Sequence, residues 1–432
     1  MVTAAGVFCM PLQLETQSSI RQIIDSNGVV TFFQPILSAR QRSVVGAEAL
    51  SRGLIGVEAL SRGPGVDKGG ALIAPSKLFA MAAEAGLTLP LERLCRETAV
   101  RTFAKLPNRQ ELILFINLDA RVLEQDSSGL DDLLKLLSEE KLSPRNVAIE
   151  ILENAFDDTA RLRFLMEAFR AEGFLLVLDD VGAGHSNLDR VPMIKPDILK
   201  LDRSLIAGIE NDYHRQETFK SLVQLTRRIG ALVVAEGVET HEQAIIALEL
   251  GADLLQGFFL GRPEEPGALT CADATIRIDA LARRYKAYMI DRINHRKLQH
   301  RRFNIIMNEV LCELSRAKAE EFDDVLHTIV PKYENVECVY VMDEAGTQVS
   351  STVCNHRVPQ RNKGVMFRPA PKGADHSLKE YYYVLLDVEL NKYTTDPYVS
   401  LATGNLCRTI STCFRDAKNN KLFILCIDVL CE

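Results

Sequence analysis

From residue 29 to about residue 263 the chain alternates short, β-branched apolar runs with longer segments whose apolar residues recur at helical spacing. The runs that read as strands are Val29–Ile36, Ser43–Leu50, Glu111–Leu118, Asn146–Leu152, Phe174–Val181, Ile198–Asp202, Ala231–Val238 and Asp253–Phe259. Near-continuous apolar stretches such as ILFIN and FLLVL suit strands buried on both faces. Helical patterns over Pro75–Phe103, Thr159–Ala171, Glu217–Ile229 and His241–Leu250 lie between them. Eight strands interleaved with helices predict a (β/α)8, TIM-like barrel. The first two strands are joined by only a few residues around Arg40–Arg42, too few for a crossover helix, so this pair is expected to be an antiparallel hairpin.

A local repeat interrupts the pattern. Val44–Gly53 reads VVGAEALSRG and Leu54–Gly63 reads LIGVEALSRG, a tandem decapeptide far too short to build a solenoid. It offers the barrel two versions of one strand, and because ten is even both present the same side-chain parity. Past Pro263 the character changes. Ala274 to about Ala319 reads as a long helix rich in Arg and Lys, expected to be a solvated connector, with a nucleic-acid or anionic-lipid contact as the other reading. From Glu337 onward short strands and turns predict a small α+β domain. Cys338–Val353 would form a hairpin turning at Asp343–Gly346, followed by strands at Tyr381–Val388, Leu406–Ser411 and Lys421–Val429.

Composition narrows the class. At 432 residues the chain is long enough for two or three domains, and its hydrophobic fraction of 47% is that of a globular protein. No stretch approaches the ~20 apolar residues of a membrane span. The first residues carry no basic n-region, so a soluble, cytoplasmic protein is expected. A net charge of −7 argues against nucleic-acid polymers as partners. The ten cysteines include no CxxC pair, and free thiols are expected, with the crowding in the last third a weak hint of redox sensitivity. Cys354 and His356 read as a chance pairing rather than a metal site.

The strands end in polar residues that propensity does not require. Glu48 (or its copy Glu58), Asn117, Glu150, Asp179 with Asp180, Lys200, Glu236 and Gln256 fall at successive strand C-termini, the end where barrels of this kind build their chemistry. Carboxylates facing one another in a barrel mouth repel, and divalent cations remedy this. Oxygen ligands without Cys or His favour hard ions, Mg²⁺ or Mn²⁺, and the adjacent Asp179-Asp180 pair suits two of them.

These residues lie in stretches that resemble the EAL-domain family of cyclic di-GMP phosphodiesterases: FFQPI (Phe32–Ile36), AEALSR (Ala47–Arg52), FINL (Phe115–Leu118), EILE (Glu150–Glu153), DDVGAGHSNL (Asp179–Leu188), KLDRS (Lys200–Ser204), AEGVET (Ala235–Thr240) and QGFFLGRP (Gln256–Pro263). The resemblance implies hydrolysis of cyclic di-GMP to linear pGpG with two Mg²⁺ or Mn²⁺ ions. One ion would be held by Glu48 or Glu58 with Asn117, Glu150 and Asp179, the other by Asp179, Asp180 and Glu236. Lys200, Asp180 and Glu236 would be the catalytic group. Gln34, Arg52 or Arg62, Gln256 and Glu239 would bind or support the substrate, and Glu153 would brace the loop after Asp180. The chain departs from the family's usual DDFGTGYSS in Val181, Ala183, His185 and Asn187, which puts dimer coupling and rate in question. The C-terminal part more loosely resembles PAS/Cache-like sensor modules, through Asp396–Ser411 and Leu422–Leu430. The implied organisation is an extension over 1–17, a catalytic barrel over 18–265, a linker helix over 266–320 and a sensor over 321–432. The implied partners are cyclic di-GMP, a second copy in a homodimer and an unknown small-molecule signal at the sensor. The alternative is a receptor that holds cyclic di-GMP without turnover.

Overall fold

The computed structural model describes residues 19–54, 72–107, 109–118, 129–152, 159–184, 188–266, 272–359, 361, 366–386 and 390–431. The chain divides into two compact units, one ending at Ile290 and one beginning at Asp291. In the first unit the apolar runs become β1 (Val29–Ser38), β2 (Ser43–Leu54), β4 (Ile113–Leu118), β5 (Val147–Leu152), β6 (Leu175–Val181), β7 (Ile198–Leu201), β8 (Leu232–Ala235) and β9 (Leu254–Leu255). They pair in the ring order β1-β9-β8-β7-β6-β5-β4-β2, and β1–β2 pairing closes it. β1 is antiparallel to both neighbours and the other pairs are parallel, so the expected hairpin start is present. A two-residue β3 (Leu72–Ile73) adds to β2 at Leu54 and Gly53, outside the ring.

Period-two alternation sorts each strand into two faces. One set of residues, including Leu114, Ile116, Ile149, Ile151, Leu176, Leu178, Leu199, Leu201 and Val233, packs with helix residues such as Leu133, Met166, Phe169, Phe219 and Val223 in the larger core. The other set supplies one apolar plug from every ring strand except β2. Ile36, Phe115, Ala148, Val177, Ile198, Val234 and Leu254 form a separate buried cluster that fills the ring. The last two strands are shorter than their sequence patterns suggest. Gly237 and Gly257 take positive φ, +63° and +156°, and so turn the chain out of extended geometry.

The first copy of the decapeptide is the one seated in the barrel. Val44 to Gly53 lie in β2, with Glu48 opposite Gln34 and Arg52 opposite Val30. The second copy, Glu58 and Arg62 included, lies outside the described residues from 55 on.

A helix of 45 residues, Ala272–Arg316, spans the stretch predicted to be helical. Ile278 and Leu281 belong to the barrel's core. Farther along, Met307, Val310 and Leu314 belong to the core of the second unit. Its basic residues from Arg283 to Arg302 are exposed, in keeping with the solvated reading. Among the described residues no helix is long and apolar enough to cross a membrane.

The second unit is a six-stranded antiparallel sheet of β10 (Val336–Asp343), β11 (Val353–Cys354), β12 (Lys392–Thr394), β13 (Tyr398–Val399), β14 (Leu406–Arg415) and β15 (Leu422–Leu430). One face is apolar. Val339, Val341, Leu425 and Ile427 pack there with Phe322, Leu326 and Ile329 of the helix Phe322–Ile329. The expected turn at Asp343–Gly346 is present, with the Gly346 amide donating to Asp343 O at 3.0 Å.

Two expectations are corrected. Of the expected strand Tyr381–Val388, the described part Tyr381–Leu386 is not a strand: Glu380–Leu386 is helical. Tyr381 and Leu385, one helical turn apart, are both buried against Tyr340, Met342 and Ile424 of the sheet, and this contact outweighs the strand propensity of a tyrosine-rich run. The cysteines are not all free thiols either. Cys338 and Cys354, register partners on β10 and β11 with Cα atoms 4.1 Å apart, form a disulfide, so Cys354 offers no thiolate beside His356. Among the described residues Cys95, Cys312, Cys407, Cys413, Cys426 and Cys431 are free.

The sheet's other face holds a buried acid. Asp428 Oδ1 accepts from Thr409 Oγ1 at 2.7 Å and from the Tyr398 hydroxyl at 3.3 Å. Burial, reinforced by the charge of Glu337, raises its carboxyl to about 7. A carboxyl whose folded-state value lies above its unfolded value stabilises the fold at low pH, and that contribution is lost as pH rises through about 7. Asp428→Asn is therefore expected to melt several degrees above the parent at pH 8 and close to it at pH 4, read by thermal denaturation across that range. A difference that shrinks as pH rises would mean that Asp428 is charged in the folded state.

Candidate functional site

Two residues beyond each plug of the barrel, on the same face of the strand, stands a polar side chain. Phe115 is followed by Asn117, Ala148 by Glu150, Val177 by Asp179, Ile198 by Lys200, Val234 by Glu236 and Leu254 by Gln256. On the reversed strand β1 the step runs the other way, from Ile36 to Gln34, which faces Glu48 of β2. The apolar layer is thus the floor of a cleft whose walls are carboxylates, amides and one ammonium.

Lys200 sits at its centre, 1% exposed. Its Nζ lies 2.6 Å from Glu236 Oε1, 2.7 Å from Glu150 Oε1, 3.3 Å from Asp179 Oδ1 and 3.4 Å from Glu48 Oε2. Asn117 Nδ2 donates to Glu150 Oε2 at 3.0 Å and to Glu48 Oε1 at 3.3 Å. Gln256 Nε2 donates to Glu48 Oε2 at 2.5 Å and to Gln34 Oε1 at 3.3 Å, and Gln34 Nε2 donates to Gly261 O at 3.1 Å. At the rim Arg203 pairs with Glu239 at 2.9 Å. The cleft holds about 240 Å³, and Phe258 and Arg203 line it beside the acids.

One ammonium has three protons, and four carboxylates compete for them. Glu150 Oε1 and Asp179 Oδ1 accordingly lie within ion-pair distance of Lys200 yet have no well-aligned hydrogen bond, and Gln256 Oε1 is buried with no donor. The surplus of negative charge shows in the titration of the group. Burial drives Glu150 well above the usual carboxylate range and raises Asp179, more than Lys200 offsets. Burial likewise lifts Glu236 to about 8 against the pull of Lys200, and Asp180 to about 6 with help from the charge of Asp179. For Lys200 itself burial disfavours the charge, but the surrounding carboxylates outweigh it and hold the ammonium well above its ordinary value.

This donor set fits hard divalent cations. Asp179, Asp180 and Glu236 each bring an oxygen to within 4.8 Å of the others, with no sulfur or imidazole among them. Asp180 also sits at φ +56°, a backbone conformation that non-glycine residues rarely take and that clusters at functional sites. Gly182, next after Val181, sits at φ +99°, a backbone conformation that L side chains rarely adopt.

Of the residues singled out in the sequence, Gln34, Glu48, Asn117, Glu150, Asp179, Asp180, Lys200, Glu236 and Gln256 converge on one cleft, and Glu239 stands at its rim. Glu58, Arg62, Glu153, His185, Asn187 and the side chain of Arg52 lie outside the described residues. Apart from Gly237 and Gly257, two cleft residues were not singled out. Arg203 and Phe258 lie inside the stretches KLDRS and QGFFLGRP, but nothing in their spacing distinguishes them from ordinary helix-start and loop residues.

The EAL domain model matches residues 17–263, more than half of the chain. The chain belongs to the EAL domain family. Among its relatives, the uncharacterized EAL-domain containing protein YkuI of Bacillus subtilis is 26% identical over 401 residues, covering 89% of this chain and 91% of YkuI. The probable cyclic di-GMP phosphodiesterase PdeB of Escherichia coli is 26% identical over 263 residues, 60% of this chain and 48% of PdeB, so the chain spans about half of that relative's length. The crystal structure of B. subtilis YkuI in complex with cyclic di-GMP and calcium superposes with a TM-score of 0.74 at 23% identity, covering 96% of this chain and 99% of YkuI. The MucR phosphodiesterase in complex with cyclic di-GMP superposes with a TM-score of 0.51 at 26% identity, over 59% of this chain and 99% of that one. The EAL domain accounts for the closed mixed barrel with its antiparallel first hairpin.

With Glu150 held well above the usual carboxylate range and Glu236 raised to about 8, the group carries protons at neutral pH that a cation bound there would displace. Mn²⁺ binding at pH 7 is expected to release at least one proton, measured by calorimetry in buffers of different ionisation enthalpy. The release should shrink as pH rises past about 8 and in Glu236→Gln. Equal apparent enthalpies in all buffers at pH 7 would contradict a protonated site.

Proposed function

We propose that this EAL domain hydrolyses cyclic di-GMP to linear pGpG. The observation that carries the reading is the excess of buried carboxylate over the single ammonium of Lys200, in a cleft open at the strand C-termini. In that reading Glu48, Asn117, Glu150 and Asp179 hold one Mg²⁺ or Mn²⁺, and Asp179, Asp180 and Glu236 hold a second. Bound there, the pair of ions would lower the pKa of water and stabilise the attacking and leaving oxygens. Lys200, held between Glu150 and Glu236, orients the attacking oxygen. Asp180, at the open side of the acid group, takes up a proton. Gln34 is fixed by Gln256 and by Gly261 O, and Arg52 is the residue expected to grip a phosphate. Glu153 is the residue that the family resemblance would give the role of bracing the loop after Asp180.

The relatives support the substrate: YkuI and MucR are solved with cyclic di-GMP, YkuI with calcium as well, and PdeB is a probable cyclic di-GMP phosphodiesterase. We take the barrel, 18–265, as the catalytic part. The segment 266–320 is the linker, the sheet unit over 321–432 is the sensing part, and a homodimer is the working form.

The test is conversion of cyclic di-GMP to pGpG by the purified full chain with Mg²⁺ or Mn²⁺, followed by chromatography. Turnover is expected, lost on chelation and restored by added cation. Lys200→Met should lower kcat by about 10²–10³-fold with little change in nucleotide affinity, because its ammonium acts on the charge that develops at the reacting oxygen. Tight nucleotide binding without turnover in the parent would instead make the chain a receptor.

A further inference from the structure

The helix Ala272–Arg316 carries two apolar faces, and the barrel takes only one of them. Ala274, Ile278 and Leu281 are buried in the barrel's core, with Tyr285 and Tyr288 packed against it. Written as heptads, these five fall at b and f. On the opposite face Ile276, Ala280, Arg283, Ala287, Ile290 and Asn294 recur at alternate steps of four and three, the a and d positions of a coiled-coil seam. None of the six is buried, and Ile276 and Ile290 are 61% and 52% exposed. The flanking positions point to the partner. In two parallel copies a g residue lies beside the e residue five positions on in the other copy. Asp279 then meets Arg284, Lys286 meets Asp291 and Ile293 meets Leu298, so acid faces base, base faces acid and apolar faces apolar. Residues five apart on one helix point about 140° away from each other, so these are not pairs within a single helix.

We propose that the stripe from Ile276 to Asn294 is the docking surface for a second copy of this chain, laid parallel along the same stripe. The inference rests on the homodimer of the proposed function and names its surface. Parallel docking sets each seam residue beside its own counterpart, so isoleucine meets isoleucine and the Asn294 amides pair only when the register is matched. Arg283 is the one charge in the seam. Its methylene stem covers apolar surface while the guanidinium reaches out to water. Asp279 reaches Arg42 at 3.9 Å with one oxygen, and a carboxylate has a second for Arg284 of the other copy. The seam stops where Lys297 and Arg301 take the next d and a positions, because like charges would face each other there. An anionic membrane would also attract the helix's many bases. It would press Asp279 and Asp291 against headgroups of their own sign, whereas a second copy gives both acids a base.

The test uses the full chain. Sedimentation should show a dimer whose dissociation constant rises by at least roughly tenfold in Ile290→Glu. Lys286→Glu should raise it by roughly five- to thirtyfold, because one substitution turns two attractive pairs repulsive, and adding Asp291→Lys should restore parental affinity. Mild oxidation should link Ile290→Cys to its own copy roughly tenfold more than His295→Cys, which sits off the seam. Mass spectrometry identifies the 290–290 peptide above the background from the exposed Cys312. A dimer indifferent to Ile290→Glu, failure of Asp291→Lys to restore Lys286→Glu, or absence of the 290–290 link overturns this surface and leaves the homodimer standing. A monomeric parent overturns both. Binding of the parent to phosphatidylglycerol vesicles that is lost in Ile290→Glu, with the oligomeric state unchanged, overturns the second copy and gives the stripe to an anionic membrane. None of these measurements reads turnover, so the phosphodiesterase reading stands or falls on its own test.

Discussion

The barrel's working end is governed by the burial of one positive charge among too many negative ones. Lys200 is enclosed by four carboxylates, and its three protons cannot satisfy all of them. Burial takes these acids out of water and favours their protonated forms more than Lys200 offsets, which is why Glu236 and Glu150 sit above the ordinary carboxylate range. The natural resolution is a cation of higher charge. The arrangement therefore holds an instability in its ligand-free form that binding relieves, and the surrounding fold must be rigid enough to keep the acids from moving apart.

That rigidity comes from the layer beneath. The plugs Ile36, Phe115, Ala148, Val177, Ile198, Val234 and Leu254 fill the ring and fix the strands at one height, and each polar residue stands a single two-residue step above its plug. Strand geometry, rather than loop conformation, sets the positions of most of the site. Asp180 is the exception. It lies at the end of β6 in a left-handed backbone conformation, followed by Gly182 packed on Leu205, so its carboxyl is aimed by a turn.

Much of this was legible in the residue pattern. The strands, the antiparallel start, the long basic helix and eight residues of the cleft follow from period-two and helical periodicity plus polar residues where propensity asks for none, while Gln34 entered only through the resemblance to the EAL-domain family. The misreadings share a cause. Tyr381–Leu386 has the composition of a strand and folds as a helix because its i, i+4 pair is buried against a sheet assembled from segments far away in sequence. The Cys338–Cys354 bond depends on the register of β10 with β11, which spacing along the chain does not specify. Arg203 and Phe258 enter the cleft only because of how their segments turn after β7 and β9.

The sequence by itself determined the class of fold, the donor chemistry of the mouth and the family, because these depend on which residue types recur at which local period. Tertiary structure decided the rest. Of two nearly identical decapeptides, the first fills β2 with Ala47 buried between Pro35 and Leu114, a choice their shared periodicity leaves open. How the acids share one lysine turns on distances across the ring between residues up to 188 apart in the chain, Glu48 and Glu236 among them. Local pattern has no access to either, since both are set by packing between segments that meet only when the barrel closes.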